Sequence, residues 1–396
     1  MTDKKTETKM FSVADFAKKL NREYKDDTLL RKSDIIPQYR RLKTGALGLD
    51  FTLYGGFPYG RIGQLSGMYH SGKTLASTLC IAAYQKENPH QTCVYVDAEH
   101  ALDLQFNVLM NHVDQDKLFI FTPPVGMSGE QILGAVLELQ TTVDDIGLIV
   151  IDSVPALVTS ANLKSDFEDD KGMRGTIAKY MHKFCPEVIP SIQAKNNMIL
   201  FINQSRIKGY NSFRGQQIPI YGEYGGDALG FYSSVSIRFG TRKFMKNGEL
   251  LTGTKGDGAD GFRLVFNVTK NKTAATNRGG GFITYNYETG IDFIGDALAI
   301  AFTYDFLRPA SSRTYFLSDP LTGEIYVDEN GKEIRGYEKD IKEYLLNHED
   351  VCTKFVNNLL EAISASNTVK SLLSEEDLAQ INAEEEMVIK EAKAAV

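Results

Sequence analysis

Residues 67–74 read Gly67-Met68-Tyr69-His70-Ser71-Gly72-Lys73-Thr74. A glycine, four variable residues and then Gly-Lys-Thr is the spacing of a P-loop, and each residue type has a reason to be there. The glycines let the backbone curl until successive N–H groups face a single anion. The Lys73 ammonium can reach the β- and γ-phosphates of a nucleotide, and the Thr74 hydroxyl can ligate Mg²⁺. ATP with Mg²⁺ is therefore the expected cofactor pair. Three more polar residues stand where a nucleotide site would need them. Asp152 closes the apolar run "LIVID" and can support the metal, although an aspartate there can also cap the next helix. Glu99 follows Asp97 in "YVDAEH", where a carboxylate can polarise an attacking water. Gln204 follows "MILFIN"; its amide is no base, but it can sense a γ-phosphate by hydrogen bonding.

These residues need strands that end at one edge and helices that start there. "GRIGQLSG" leads into the P-loop, and "TLASTLCIAAYQKE" after it has helical spacing, so its N-terminus adds its dipole to the anion site. "CVYVDAEH", "LFIFTP", "GLIVIDS" and "MILFINQ" read as strands, with a helix from "GEQILGAVLELQTTV" and another from "GTIAKYMHKFCPEVIPSIQAKN" that Pro186 and Pro190 are expected to break. "SVSIRF", "FRLVFNVTKNK" and "GFITYNYETGIDF" are strand-like. The alternation predicts an α/β fold, a mainly parallel sheet covered on both faces, with its chemistry at the carboxyl ends of the strands. Residues 11–32 read as an amphipathic helix. "TGEIYVDENGKEI" reads as a hairpin turning at Asn330-Gly331, and "YEKDIKEYLLNHEDVCTKFVNNLLEAI" as helix. The expected organisation is 1–42 as an N-terminal helix and linker, 43–295 as the ATPase core, 296–366 as a small α/β domain and 367–396 as a polar tail.

Composition bounds the function. A chain of 396 residues with 42% hydrophobic content can bury a large core, and it has no apolar run of membrane-spanning length. The charged start "MTDKKTETKM" lacks the apolar centre of a signal peptide. Cys80, Cys93, Cys185 and Cys352 are scattered, which argues against a zinc site or a disulfide framework and fits a reducing cytoplasm. With a net charge of −7, any nucleic-acid contact must come from a local basic patch. Residues 241–280 carry eight Lys/Arg against three Asp/Glu, whereas 374–396 carry seven acids against two lysines.

The motifs "TGALGLD", "GRIGQLSGMYHSGKT", "YVDAEHALD", "VIDSVPAL", "LFINQSRIK", "GGDALGFYSSV" and "TKNKTAA", in this order, resemble the RecA family of DNA strand-exchange recombinases, and more loosely its phage UvsX branch. The resemblance spans about residues 43–365. It implies a RecA-type P-loop fold and, position by position, a set of roles. Glu99 activates water. Asp103 and Phe106 contact adenine, Phe106 by stacking where tyrosine is usual. Gln204 couples the γ-phosphate to a second DNA loop running from Ser205 to about Glu223 and closing at Gly225-Gly226. A first DNA loop runs from about Ser160 to Met173. Lys270 and Lys272 reach a neighbouring subunit's ATP, and the N-terminal helix docks on that neighbour. The implied partners are single- and double-stranded DNA, further copies of the chain in a head-to-tail helical filament, a single-strand-binding protein and a loader.

The second loop's own residues agree: Arg206, Lys208 and Arg214 alternate with Tyr210, Phe213 and Tyr221, cations for phosphates and rings for bases. It is expected to be long and without secondary structure. The first loop, "SANLKSDFEDDKGM", is net acidic, and Lys179 on the following helix is the better phosphate candidate. Two departures stand out: Met68-Tyr69-His70 is bulkier than the family's P-loops, and Gly230 replaces a usual lysine after "DAL". The expected function is a DNA-dependent ATPase that forms filaments and exchanges strands. A hexameric RecA-fold motor and a regulatory DNA-binding ATPase are the alternatives. The lysines of "KNK", standing where ring motors use an arginine finger, favour the first.

Overall fold

The computed structural model describes residues 12–25, 30, 39–102, 111–164, 176–213, 216–225, 228–251, 256–274 and 279–365, with backbone only at 176, 206–213, 216–221, 364 and 365. Residues 1–40 form one unit and the chain from Arg41 another. The first unit holds helix α1 (Val13–Tyr24). Its start is fixed by a capping box: the Asp15 N–H donates to Ser12 Oγ at 3.1 Å and the Ser12 N–H to Asp15 Oδ2 at 3.2 Å. Lys25, in the left-handed region, ends it.

In the second unit, β1 (Arg41–Leu42) pairs antiparallel with β2 (Phe57–Pro58) around α2 (Leu47–Thr52). The main sheet is then built from β3 (Arg61–Gly67), β4 (Thr92–Asp97), β5 (Leu118–Phe121), β6 (Ile146–Asp152) and β7 (Met198–Ile202). Between them lie α3 (Lys73–Glu87), α4 (Gly129–Thr142), α5 (Ser160–Lys164) and α6 (Thr176–Lys195). A two-stranded hairpin follows, β8 (Ser205–Phe213) with β9 (Gln216–Glu223), then α7 (Ala228–Tyr232), and the sheet resumes with β10 (Val235–Lys246), β11 (Glu249–Leu250), β12 (Gly261–Asn271), β13 (Gly280–Asn286) and β14 (Gly290–Ile291). Among the described residues the strand order is β14-β13-β12-β10-β3-β7-β6-β4-β5, with β11 on the flank of β10. From β10 to β5 the neighbours are parallel; from β10 to β14 they are antiparallel. The expected mainly parallel α/β sheet is present. Its strands read as continuous apolar runs because both faces are covered: every residue of β6 and β7 is buried.

Apolar side chains of α3 (Leu75, Ala76, Leu79, Cys80) pack one face of the sheet, and those of α4 and α6 (Val136, Met181, Val188) the other. A third core joins α8 (Phe293–Thr303), α9 (Glu338–Asn347) and α10 (Glu349–Ala365) to Leu47, Phe51, Val265 and Phe282. These helices thus rest on the antiparallel end of the sheet. Three short strands, β15 (Arg308–Pro309), β16 (Tyr315–Phe316) and β17 (Arg335–Gly336), form a small sheet beside them. The turn expected at Asn330-Gly331 forms, with Gly331 at φ +77° and its N–H on the Asp328 carbonyl at 2.9 Å.

Two expectations fail. Helix α6 runs unbroken through Pro186 and Pro190. Each proline removes a backbone bond, at a cost of about 3 kcal/mol. Full burial of Met181, Cys185, Val188 and Ile192 on the sheet side offsets it, since each such side chain contributes about 1.5–3 kcal/mol. The stretch expected to be an irregular second DNA loop is instead a hairpin, with Arg206 opposite Gly222, Ile207 opposite Tyr221 and Phe213 opposite Gln216. The residue types that favour extended backbone outweigh its glycines and asparagine: Ile207, Tyr210, Phe213, Ile218, Ile220 and Tyr221. Pro219 is tolerated because a two-stranded ribbon has only edges.

Candidate nucleotide site and its link to the hairpin

The four adjacent strands β3, β7, β6 and β4 bring the sequence candidates to one edge. In register, Leu65 lies beside Ile202, Ile202 beside Asp152, and Asp152 beside Asp97. The P-loop follows β3, Gln204 lies two residues past β7, Asp152 ends β6, and Glu99 lies two residues past β4. Topology alone explains this convergence, since parallel strands share one carboxyl edge.

The P-loop is shaped for an anion. A Cβ on Gly67 would meet Phe239 O at 2.6 Å and Ser71 Oγ at 2.7 Å. One on Gly72, at φ +85°, would meet Leu264 Cδ1 at 2.4 Å. Only glycine fits either bend. Gly72 is also the N-cap of α3, so the loop delivers the N–H groups of a 15-residue helix. Lys73 Nζ donates to Met68 O at 2.7 Å, Gly67 O at 3.3 Å and Ser71 Oγ at 3.3 Å. Burial lowers its pKa, opposed by the charges of Asp152 and Glu99. Tyr69 projects outward, 79% exposed, its ring edge-on to His70 at 4.4 Å.

Thr74 Oγ1 donates to Asp152 Oδ2 at 3.3 Å, and the Tyr95 hydroxyl donates to the same oxygen. Burial lifts Asp152 to about 6, against the hydrogen bond from Tyr95. A hydroxyl beside a carboxylate, next to a phosphate cradle, is the donor set for a hard divalent ion, and Thr74 with Asp152 fits Mg²⁺. Glu99 is oriented from two sides: its N–H donates to the Asp152 carbonyl at 3.2 Å, and Ser153 Oγ donates to its carboxylate. Asp97 fixes the segment beyond, accepting from the Ala101 N–H at 3.1 Å and the Leu102 N–H at 3.3 Å. Tyr95 and Ser153 went unnoticed in the sequence, although both stand inside the motifs "CVYVD" and "VIDS".

Gln204 is half-buried. Its N–H donates to Asn203 Oδ1 at 2.8 Å and its carbonyl accepts from the Tyr224 N–H at 3.1 Å, so the residue that enters the hairpin is tied to the residue that leaves it. Gln64 of β3 adds a second tie, donating to Glu223. Gly225 turns the chain at φ +82°. Arg206, Lys208 and Phe213 lie on β8, and Lys179 is exposed on α6. Asp103, Phe106, Arg214 and Gly226 lie outside the described residues, as does most of the stretch expected as a first DNA loop, past Lys164. Lys270 and Lys272 are not brought to the P-loop of their own chain. Lys270 donates to the carbonyls of Gly230 and, at 3.2 Å, Phe231; Lys272 donates to Phe231 O at 2.9 Å. Burial, then the neighbouring Lys272 charge, push Lys270 down to about 8.

The model of the RecA N-terminal domain matches residues 12–292. Protein RecA of Clostridioides difficile is 34% identical over 314 residues, 79% of this chain and 80% of that protein. Protein RecA of a Sulfurovum species is 31% identical over 339 residues, 83% of this chain and 90% of that protein. A crystal structure of the RadB recombinase superposes with a TM-score of 0.44 at 20% identity over 63% of this chain and 98% of that one, too partial a likeness to add to the assignment. With the RecA N-terminal domain matched over residues 12–292 and two RecA proteins 34% and 31% identical over most of both chains, the chain belongs to the RecA family of recombination ATPases.

Proposed function

We propose that the chain binds ATP with Mg²⁺, assembles head to tail into a helical filament on single-stranded DNA, and pairs that strand with a homologous duplex, hydrolysing ATP faster when DNA is bound. The observation that carries this reading is the placement of Gln204: it follows β7 at the strand edge that carries the P-loop and Asp152, and its carbonyl accepts from Tyr224 at the exit of a hairpin that carries Arg206 and Lys208. A γ-phosphate that draws on the Gln204 amide acts directly on the base of the hairpin. Lys73 and the P-loop N–H groups bind the phosphates, and Glu99, held by Ser153, takes the water proton. Thr74, with support from Asp152, would hold Mg²⁺, which would supply positive charge against the phosphate oxygens.

The second half of each site comes from a neighbour. Lys270 and Lys272 sit with Phe231, 66% exposed, and donate to its carbonyl rather than to the P-loop of their own chain. Transferred to a neighbour's γ-phosphate, the two ammonium groups do the work of an arginine finger. Helix α1 buries none of its residues, and Val13, Phe16 and Tyr24 are exposed, which suits a segment that docks on another copy. A phage-type, UvsX-like member is the finer form of this reading, with Met68-Tyr69-His70 and Gly230 marking the chain off from the bacterial pattern. The division at 42, 295 and 366, with an acidic tail screening the DNA surface, belongs to it too.

Electron microscopy on single-stranded DNA with a non-hydrolysable ATP analogue tests the reading. Helical filaments are expected. Closed rings would replace it with a motor, and DNA binding without assembly or DNA-stimulated hydrolysis would replace it with a regulator.

A further inference from the structure

The P-loop is held from outside by a residue that none of its motifs includes. β10 runs parallel to β3 as far as Phe239 beside Gly67, and then its pairing with β12 breaks and resumes at Arg242 opposite Leu264. This irregularity absorbs Gly240 and Thr241, and it brings Arg242 alongside the loop. The Arg242 Nε–H donates to the His70 carbonyl at 3.1 Å. Its guanidinium lies 4.7 Å from the centre of the Phe262 ring. That ring is fully buried and stacked on Tyr285 at 5.3 Å, so the cation rests on a fixed platform. His70 itself is at φ +56°, a conformation few non-glycine residues adopt without support.

The peptide that follows His70 explains why this contact matters. A trans peptide is planar, and its C=O and N–H point in opposite directions. A donor that fixes the His70 carbonyl on one side turns the Ser71 N–H to the other. Lys73 Nζ, the cation of the loop, is held by Ser71 Oγ and Met68 O of the same stretch. We propose that Arg242 is a positioning residue for nucleotide binding: by holding the His70 carbonyl it keeps the Ser71 N–H aimed at the phosphates and stabilises His70 in its left-handed turn. Arg242 touches no phosphate in this role; it orders the cradle before the anion arrives. The bulky Tyr69-His70 pair makes such a brace necessary, because the loop's bend is carried by a histidine. The inference rests on the P-loop binding ATP.

Calorimetric titration of the full-length protein with ATP and with ADP, both without DNA, tests it. Three proteins are compared: wild type, Arg242→Met and Arg242→Lys. Methionine keeps length and packing over Phe262 but has no donor; lysine keeps a donor. Arg242→Met is expected to bind ATP and ADP about tenfold more weakly, the effect of losing one hydrogen bond from a charged donor. Its kcat at saturating ATP and DNA should stay within about twofold, because a preorganising contact acts on binding of ground and transition state alike. Arg242→Lys should recover most of the affinity. Unchanged nucleotide affinity in Arg242→Met would overturn the proposal. So would equal weakening in both variants, since the donor would then not be the cause. A loss confined to DNA affinity would make Arg242 a DNA contact instead. If the wild type bound neither nucleotide, the ATP reading itself would fail, and this inference with it.

Discussion

Two buried aspartates sit at opposite ends of the same sheet. Asp152, at the parallel end, is raised to about 6 by burial. Asp296, in the first turn of α8 at the antiparallel end, is raised to about 7, also by burial. Their surroundings differ. Asp152 receives hydrogen bonds from Thr74 and Tyr95 and has Glu99 and Lys73 as charged neighbours, at the edge where strands and a glycine-rich loop converge. Asp296 is fully buried; the Thr284 N–H approaches one oxygen at 3.4 Å, and the other has no hydrogen-bond partner among the described residues. A perturbed acid alone therefore does not mark a reactive site. Convergent donors and a strand edge do.

The contrast predicts that changes at the parallel end alter turnover and those at the antiparallel end alter stability. Glu99→Gln should give the largest effect, a fall in DNA-stimulated kcat of about a hundredfold or more with ATP binding kept. Near-normal steady-state hydrolysis would move the catalytic role off Glu99. Asp152→Asn should lower Mg²⁺-dependent turnover about tenfold or more. A variant as active as the wild type across a magnesium titration would make Asp152 no different in kind from Asp296. Arg206→Ala with Lys208→Ala should weaken single-stranded DNA binding and reduce the slope of log K against log salt by about 1.4, two contacts at about 0.7 each. An unchanged slope would remove the hairpin from the DNA surface.

The smallest change in function is expected from Asp296→Asn. The native pKa of Asp296 lies above its ordinary value of 3.8, so the folded protein loses stability as pH rises from about 4 to about 7, and no further beyond. At pH 8 that loss is on the order of 4 kcal/mol. Asp296→Asn should remove this slope, melting higher than the wild type at pH 8 and alike near pH 4, with kcat unchanged. A pH-dependent gap of the opposite sign, or a loss of turnover, would erase the contrast between the two ends.

The sequence was most legible where spacing is local. The P-loop, the apolar strand before Asp152 and the helix after Lys73 are each contained in one short stretch, and all three stand as expected. Contacts between strands distant in sequence were not legible: Ser153 with Glu99, Tyr95 with Asp152 and Gln64 with Glu223 each join segments more than 50 residues apart. Pro186 and Pro190 mislead because local propensity says nothing of how much apolar surface α6 buries. The hairpin after Gln204 was hidden by the glycine and asparagine between its β-formers. Lys270 and Lys272 could be found by motif, but within one chain their hydrogen bonds go to the carbonyls of Gly230 and Phe231 rather than to the nucleotide site.

The central claim is that each ATP site is shared between two chains, and mixing two inactive variants on single-stranded DNA tests it most directly. Glu99→Gln lacks the base but keeps both lysines; Lys270→Ala/Lys272→Ala keeps the base but lacks the lysines. Neither should hydrolyse ATP well alone. In an equal mixture about a quarter of the head-to-tail interfaces join an intact Glu99 to intact lysines, so hydrolysis should recover to about that fraction of wild type. No recovery, with co-assembly of the two variants confirmed, would contradict a shared site.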